Sequence, residues 1–220
     1  MSKKIMLLAL AAVSAAVFVL PATASALVPL HLTPTPEGPQ TIDDTGATAP
    51  TLSTAGGTTV VCDEFHGNAE FEPGGTTGTM NLTFGPNCRV GGFISCTSAG
   101  EPTGNIATTA LPFHLATLAS GDPGVLVTPG ANNHFATFTC FGVNTVVTGN
   151  GVLGEIEFPD CGNISDEADI DFNATAHGAQ QHTKLAGTAT EYRLKKGTEN
   201  AAQDATGTLT LDEEVELDCT

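Results

Sequence analysis

The stretch that decides the fold runs from His134 to Cys161 and reads HFATFTCFGVNTVVTGNGVLGEIEFPDC. Its short runs of Val, Thr, Phe and Ile favour β-strands, and the glycines between them favour tight turns. A weaker copy of the same order lies upstream, where one strand ends at Cys62 and a later apolar strand is followed by Pro, a polar residue and Cys88. These two units predict short antiparallel strands joined by turns.

The chain from residue 51 onward continues this pattern, and no window of 12 residues holds an apolar stripe of helical period. The 33 Thr and 25 Gly residues suit solvent-facing strand positions and turns. We therefore expect an all-β fold, a single antiparallel β-sandwich or flattened barrel of about ten strands over residues 51–220. The candidates for the core are Phe84, Ile94, Leu111, Leu115, Phe138, Ile156, Phe158, Ile170, Phe172 and Leu211.

One strand can be assigned a register from its alternation. Residues 168–174 read ADIDFNA, which is apolar on one side and polar on the other. Because neighbouring side chains of a strand point to opposite faces, Ile170, Phe172 and Ala174 should face the core. Asp169, Asp171 and Asn173 should then face solvent.

The N-terminus carries an export signal over residues 1–26. Lys3 and Lys4 precede an apolar run over residues 5–20, and the small residues 24–26 form a cleavage site. The alternative is an N-terminal membrane anchor. No second run of spanning length follows, so we expect no transmembrane segment in the mature chain and a secreted protein, free or associated with the cell surface.

Residues 27–50 contain five prolines and predict a Pro/Thr-rich arm outside the domain. We interpret this arm as a loosely ordered N-terminus. The alternative function is that of a spacer from the cell surface.

Export changes the meaning of the six cysteines, because disulfides persist outside the cytoplasm. We expect three disulfides, with the pairing Cys62–Cys88, Cys96–Cys140 and Cys161–Cys219 favoured. The internal copy supports a rival pairing, with Cys140–Cys161 and Cys96–Cys219 beside the same first bridge. Zinc ligation is disfavoured because the sequence has no Cys-x-x-Cys pair.

The chain is strongly acidic, with 24 Asp and Glu against 7 Lys and Arg, of which Lys3 and Lys4 lie in the signal. Such a surface repels phosphate backbones and anionic lipid headgroups, and we therefore expect neither nucleic acid nor anionic lipid headgroups as partners. It favours cations. The acidic segment over residues 160–171 therefore predicts a Ca²⁺ site, with candidate ligands Asp160, Asn163, Asp166, Glu167 and Asp169. The alternative is a solvated strand edge whose charges prevent edge-to-edge pairing.

No constellation in the sequence predicts catalysis. The six His residues match no standard zinc spacing, no Gly-x-Ser-x-Gly occurs, and the absence of Trp argues against a sugar-binding platform. We expect no catalytic residues and no cofactor other than Ca²⁺.

The run CTSAGEPTGNIATTALP over residues 96–112, followed by FATFTC over residues 135–140, resembles a group of secreted Thr/Gly-rich bacterial proteins without assigned function. The resemblance covers roughly residues 58–154 and implies no catalytic residues. We expect a secreted non-catalytic surface or matrix interaction module with an unknown protein or cell-surface partner. The alternative is a Ca²⁺-dependent or small-ligand-binding extracellular β domain.

Overall fold

The computed structural model describes residues 30–158 and 162–218, which form nineteen strands and one short 3-10 helix at Ala131–Asn133. The first nine strands are β1 (His31–Thr33), β2 (Pro39–Asp44), β3 (Thr51–Thr54), β4 (Thr59–Val61), β5 (Phe65–Phe71), β6 (Thr77–Phe84), β7 (Arg89–Val90), β8 (Ile94–Thr97) and β9 (Ile106–Ala107). The others are β10 (Leu111–Thr117), β11 (Pro123–Val127), β12 (Ala136–Cys140), β13 (Val143–Gly149), β14 (Val152–Glu157), β15 (Ile164–Phe172), β16 (Ala174–Ala176), β17 (Ala179–Gln180), β18 (Leu194–Lys196) and β19 (Glu199–Asp218).

Eight of these strands close an antiparallel barrel. The order around it is β2, β5, β6, β10, β11, β14, β15 and β19, and β19 pairs back onto β2. Closure leaves none of these strands with an unpaired edge, which removes a common template for aggregation.

Seven of the strands outside the barrel and the first part of β19 form a second closed circuit, which we call the hairpin ring. Its order is β3, β4, β7, β8, β12, β13, β18 and the first part of β19, which pairs back onto β3. The ring consists of four antiparallel hairpins, β3–β4, β7–β8, β12–β13 and β18–β19. Since neighbouring strands alternate in direction all the way round, the four hairpin turns lie at the same end of the ring.

The long strand β19 joins the two circuits. Residues 199–204 pair with β18 and β3 in the hairpin ring, and residues 205–210 pair with β15 and β2 in the barrel. One apolar core accordingly runs through both, from Leu209 and Phe113 in the barrel to Phe138 and Leu194 in the ring. Burying each such side chain contributes about 1.5–3 kcal/mol to stability.

These features confirm the predicted antiparallel all-β fold with disulfides, and of the two architectures left open the pairings show the barrel. The structure has nineteen described strands against about ten expected, because several of them, such as β1, β7, β9 and β17, are only two or three residues long and leave no pattern in the sequence. Of the core candidates, Leu111, Leu115, Phe138, Ile156, Ile170, Phe172 and Leu211 are buried, and Phe84 and Phe158 are half-buried against the core. Ile94 is half-buried in the hairpin ring.

The predicted loose arm is wrong for its described part. β2 is a barrel strand, and Leu30, Leu32 and Ile42 are buried in the core. Gln40 is also buried, and its side-chain oxygen accepts a hydrogen bond from the backbone N–H of Asp212 at 2.7 Å. Pro39 made this strand hard to recognise in the sequence, because proline cannot donate a hydrogen bond to a β-ladder and is rare inside strands. It is tolerated here because it is the first residue of the strand. The domain thus begins before residue 51, whereas the predicted signal over 1–26 lies outside the described residues.

Two of the predicted disulfides are confirmed, Cys62–Cys88 and Cys96–Cys140. The second bridge makes the rival pairing through Cys140–Cys161 and Cys96–Cys219 wrong. Cys161 and Cys219 lie outside the described residues, so Cys161–Cys219 stays a prediction.

The predicted register of β15 is confirmed at Ile170 and Phe172, which are buried between the half-exposed Asp169, Asp171 and Asn173. It is wrong at Ala174, which is half-buried and begins a separate hairpin strand.

Within residues 30–158 and 162–218, no helix is long and apolar enough to cross a membrane.

Candidate functional site

The open end of the hairpin ring contains an apolar cavity of about 260 Å³, which we call the mouth. Each of the four hairpins contributes to its wall. The lining residues are Leu52, Thr54, Thr58, Val60, Val90, Ile94, Phe138, Cys140, Phe141, Val143, Thr145 and Lys196. The wall is mainly hydrophobic with a few polar groups, as is typical of small-molecule sites.

Large apolar side chains stand in solvent around this mouth. Phe93 is 81% exposed, Phe141 is 88% exposed and Val143 is 65% exposed. Phe93, Ile94, Ser95 and Phe141 border a further concavity of about 460 Å³, which shares Ile94 and Phe141 with the mouth. Single exposed apolar residues are ordinary, but a group of them around one apolar opening marks a binding surface.

Phe141 is placed in solvent at a conformational cost. Phe141 and Gly142 form the two-residue turn between β12 and β13, with φ of 50° and 75°. Positive φ at both positions is the type I′ arrangement, which prefers Asn, Asp or Gly at the first position. A bulky residue with positive φ is a true outlier, and Phe141 recovers little of that cost by burial. The residue is therefore poorly explained by local stability.

The β7–β8 turn presents its aromatic ring differently. Gly91 and Gly92 take up the positive φ values of 61° and 81°, and Phe93 follows them. Phe93 itself is not in the left-handed region. The two aromatic turns thus present similar side chains with unequal backbone strain.

An apolar path leads inward from the mouth. Leu52, Val60 and Phe138 line both the mouth and a deeper cavity of about 70 Å³ at the junction of the ring and the barrel. Met80, Leu111 and other apolar side chains form most of the deeper wall. The barrel beyond it is nearly filled, with a void of only about 20 Å³.

Lys196 is the single charged residue in the lining of the mouth. It is half-buried, whereas its neighbour Lys195 is exposed. Side chains alternate along a strand, so Lys195 points to the outer surface of the ring while Lys196 reaches the cavity. No carboxylate within residues 30–158 and 162–218 forms an ion pair with Lys196.

The two described disulfides brace the walls of the mouth. Cys96 and Cys140 are directly opposed on β8 and β12, so their bridge ties the two hairpins that carry Phe93 and Phe141. The Cys62–Cys88 bridge joins the ends of β4 and β7, which are also paired. Three of the four hairpins are therefore cross-linked in series.

The predicted Ca²⁺ ligands do not form a site among the described residues. Asp160 lies outside them, Asn163, Asp166 and Glu167 are exposed, and Asp169 accepts a hydrogen bond from the Thr208 hydroxyl at 2.6 Å. No group of three His, Cys, Asp or Glu side chains able to hold a metal ion occurs in residues 30–158 and 162–218. The structure thus does not bring Asp166, Glu167 and Asp169 together.

A pair of carboxylates lies close together on the outer surface near the start of the barrel part of β19. Burial raises the pKa of Asp204, and the nearby charge of Asp171 raises it further. One oxygen of Asp171 is buried and accepts no hydrogen bond in the described part of the chain. Asp171 is therefore half-exposed as a residue, with one of its two carboxylate oxygens shielded from solvent.

Among the described histidines, His134 lies near a hydroxyl, with its Nδ1 3.5 Å from Thr137 Oγ1 in an exposed position. His182 Nε2 lies 3.2 Å from Glu155 Oε2 and 3.2 Å from Gln181 Nε2, and neither of these neighbours is a hydroxyl or a thiol. His114 is half-buried and its pKa is lowered by burial. The prediction that the chain has no catalytic residues stays a prediction.

Sequence inspection did not identify the mouth, because the ring brings together turns from four distant parts of the chain. A local signal was present nonetheless. Phe141-Gly142 and Gly91-Gly92-Phe93 each place an aromatic residue inside a glycine turn, where it cannot point to a core.

Comparison of the chain with protein-family models, curated proteins and solved structures finds no match.

Proposed function

We propose that this protein is a secreted, non-catalytic binding domain that holds a small apolar molecule in the mouth of the hairpin ring. The observation that carries the proposal is the 260 Å³ apolar cavity bordered by the exposed side chains of Phe93, Phe141 and Val143. This proposal adopts the alternative stated from the sequence, a small-ligand-binding extracellular β domain, in place of the surface or matrix interaction module that was expected first.

The geometry supports binding in three ways. An eight-stranded barrel has an interior that is either filled by side chains or large enough for one small ligand. The hairpin ring has small inward residues at the level of the mouth, among them Thr54, Val90 and Thr145, and so leaves room. The disulfide between β8 and β12 holds the wall in place before a ligand arrives, which reduces the entropy cost of binding.

Other properties support an extracellular, non-catalytic role. The disulfides Cys62–Cys88 and Cys96–Cys140 fit an oxidising compartment. The lining of the mouth offers hydroxyls and one ammonium group but no carboxylate or imidazole to act as a general base.

The test is binding of Nile red, a neutral dye whose fluorescence rises in apolar surroundings. The wild-type protein should bind it with one site per chain. Val90→Phe, which adds bulk inside the mouth, should weaken binding by about tenfold or more, equivalent to 1.4 kcal/mol. The matched control is Val61→Phe, since Val61 is 41% exposed and does not line the mouth.

A second variant covers the case in which Val90→Phe misfolds. Phe93→Ser combined with Phe141→Ser removes the exposed aromatic rings and leaves the core intact, and it should also weaken dye binding. Binding that is unchanged in this double variant and in a folded Val90→Phe protein would refute the proposal. Repeating the titration with Ca²⁺ and then with chelator tests the Ca²⁺-dependent alternative, which requires the affinity to change.

A further inference from the structure

We propose that the ligand of the mouth is a single-chain amphiphile with an anionic head, such as a medium-chain fatty acid, whose carboxylate pairs with Lys196 and whose tail passes Phe138. This inference rests on the proposed function and specifies its ligand class. Its support is the order of chemistry along the path: one cation among the mouth residues, then an apolar constriction, then an apolar cavity.

The first argument is the distribution of positive charge. Beyond the signal the chain has five basic residues, which are Arg89, Lys184, Arg193, Lys195 and Lys196. Lys184 and Arg193 are paired with Glu191 at 3.4 and 2.7 Å, and Arg89 donates to the side-chain oxygen of Asn87 at 2.9 Å. Arg89, Lys195 and Lys196 make no ion pair with a described carboxylate, and of these three Lys196 lines the mouth, in a chain with 24 acidic residues.

The second argument is where the cationic side chain lies. Lys196 is half-buried and lines the cavity, so its aliphatic stem forms part of the wall and its ammonium is carried at the mouth. A partly buried cation is stabilised by an anion beside it, and no described side chain forms that ion pair. A ligand carboxylate can supply the missing charge.

The third argument is the depth of the apolar path. Leu52, Val60 and Phe138 border both the mouth and the inner cavity, so a linear chain entering at the turns has apolar walls on the way to the barrel. The inner cavity holds only about 70 Å³, which favours a narrow tail over a compact or branched group at that depth. A linear tail therefore uses both cavities.

The acidic surface does not oppose this ligand as it opposes a membrane. A bilayer brings many anionic headgroups against the whole protein face. A single carboxylate meets one cation at the mouth, Lys196, whose cross-strand partner in the β18–β19 hairpin is Glu199. Acids farther from Lys196 than the screening length of about 8 Å at physiological ionic strength contribute little. The local cation then decides the interaction.

The experiment measures displacement of Nile red by decanoate and by 1-decanol, which share a tail and differ in the charge of the head. Wild-type protein should prefer decanoate. Lys196→Gln should lose about three- to fivefold in decanoate affinity, the worth of a partly exposed ion pair, and should keep its decanol affinity. Lys195→Gln is the matched control on the outer side of the same strand and should keep the preference for decanoate.

Chain length gives an independent readout. Affinity should rise about fourfold for each methylene from hexanoate to decanoate while the tail enters the apolar path. The decanoate preference should also shrink as NaCl is raised, because salt screens the ion pair.

The outcomes separate the two proposals. Equal affinity of wild-type protein for decanoate and decanol, with no effect of Lys196→Gln, would overturn the anionic head and leave apolar binding intact. Affinity that does not depend on chain length would overturn the linear tail. If neither compound displaces the dye and the dye itself does not bind in the mouth, the proposed function fails first.

Discussion

The barrel and the hairpin ring are two eight-stranded circuits of one chain. Strand pairing closes both, but they are stabilised in different ways. The barrel has long strands, such as the eight-residue β6, and an interior filled by side chains to a void of about 20 Å³. The ring has short strands, such as the two-residue β7, and leaves about 260 Å³ open. Both described disulfides brace the ring. Packing stabilises the barrel, whereas cross-links stabilise a ring that is kept hollow.

The comparison teaches how a cavity can be maintained on a small scaffold. A cavity forfeits the dispersion and burial energy of the side chains that would fill it, so its walls need another source of stability. Here a well-packed barrel anchors one end of the ring, the Cys96–Cys140 bridge lies at the mouth, and the Cys62–Cys88 bridge lies nearer the junction with the barrel. The following predictions test this division, beginning with the largest expected effect.

Phe172→Ala should cost about 3–5 kcal/mol of unfolding free energy, through lost burial and a cavity in the barrel. Phe172 is buried, and its ring covers Gly154, where an added Cβ would lie 2.9 Å from it. The matched control is Phe141→Ala in the ring, which should cost little because that side chain is 88% exposed. Denaturant unfolding measures both, and a harmless Phe172→Ala would contradict the filled barrel.

Removing the Cys96–Cys140 bridge with the double change Cys96→Ala and Cys140→Ala should cost about 2–4 kcal/mol, largely by freeing the unfolded chain. The bridge spans a sequence separation of 44 residues and links the two hairpins that carry the exposed aromatics. Nile red affinity should fall as well, since the wall of the mouth loses its brace. A variant that unfolds more easily yet binds dye as tightly as the wild type would show that the bridge is not needed to shape the mouth.

Phe141→Asn should stabilise the protein by about 1 kcal/mol, because Asn tolerates the positive φ that strains a bulky residue. The same change should weaken dye binding, since the exposed ring is lost. Phe93→Asn serves as the control. In its turn Gly91 and Gly92 adopt the positive φ values, so replacing Phe93 relieves no backbone strain. Thermal melts and dye titrations of the two variants separate strain from binding. A destabilised Phe141→Asn protein would remove the argument that this residue is kept for function.

Asp204→Asn should give the smallest effect, a slight rise in Tm at neutral pH. Burial and the charge of Asp171 raise the pKa of Asp204 above its ordinary 3.8, so the folded state holds this proton more tightly than the unfolded chain. Stability linked to Asp204 is therefore present below pH 3.8 and is lost as the pH rises through the folded pKa. Wild type and variant should melt alike at pH 3 and diverge at pH 7. The exposed Asp166→Asn is the control, and a lower Tm for Asp204→Asn at pH 7 would contradict the sign.

Much of the barrel was predictable from the sequence. The alternation from Ala168 to Phe172 sets one face of β15, and the cysteine positions suggested both described bridges. The strand β2 was not predictable with the same rules, because its first residue, Pro39, and its buried polar Gln40 are typical of a loop. Gln40 is satisfied by the backbone of Asp212, a partner 172 residues away that no local pattern reveals.

The candidate site shows more clearly which features cannot be predicted from the sequence. The sequence alone determined an all-β, disulfide-linked and acidic chain, since strand period, cysteine number and charge are local or additive properties. Only the tertiary structure decided that the strands close into two circuits and that four hairpin turns meet around a cavity. It also decided that Lys196 faces this cavity while Lys195 does not. Closure and cavities depend on how distant strands register against one another, and that register is set by packing across the whole core and not by any single stretch of the chain.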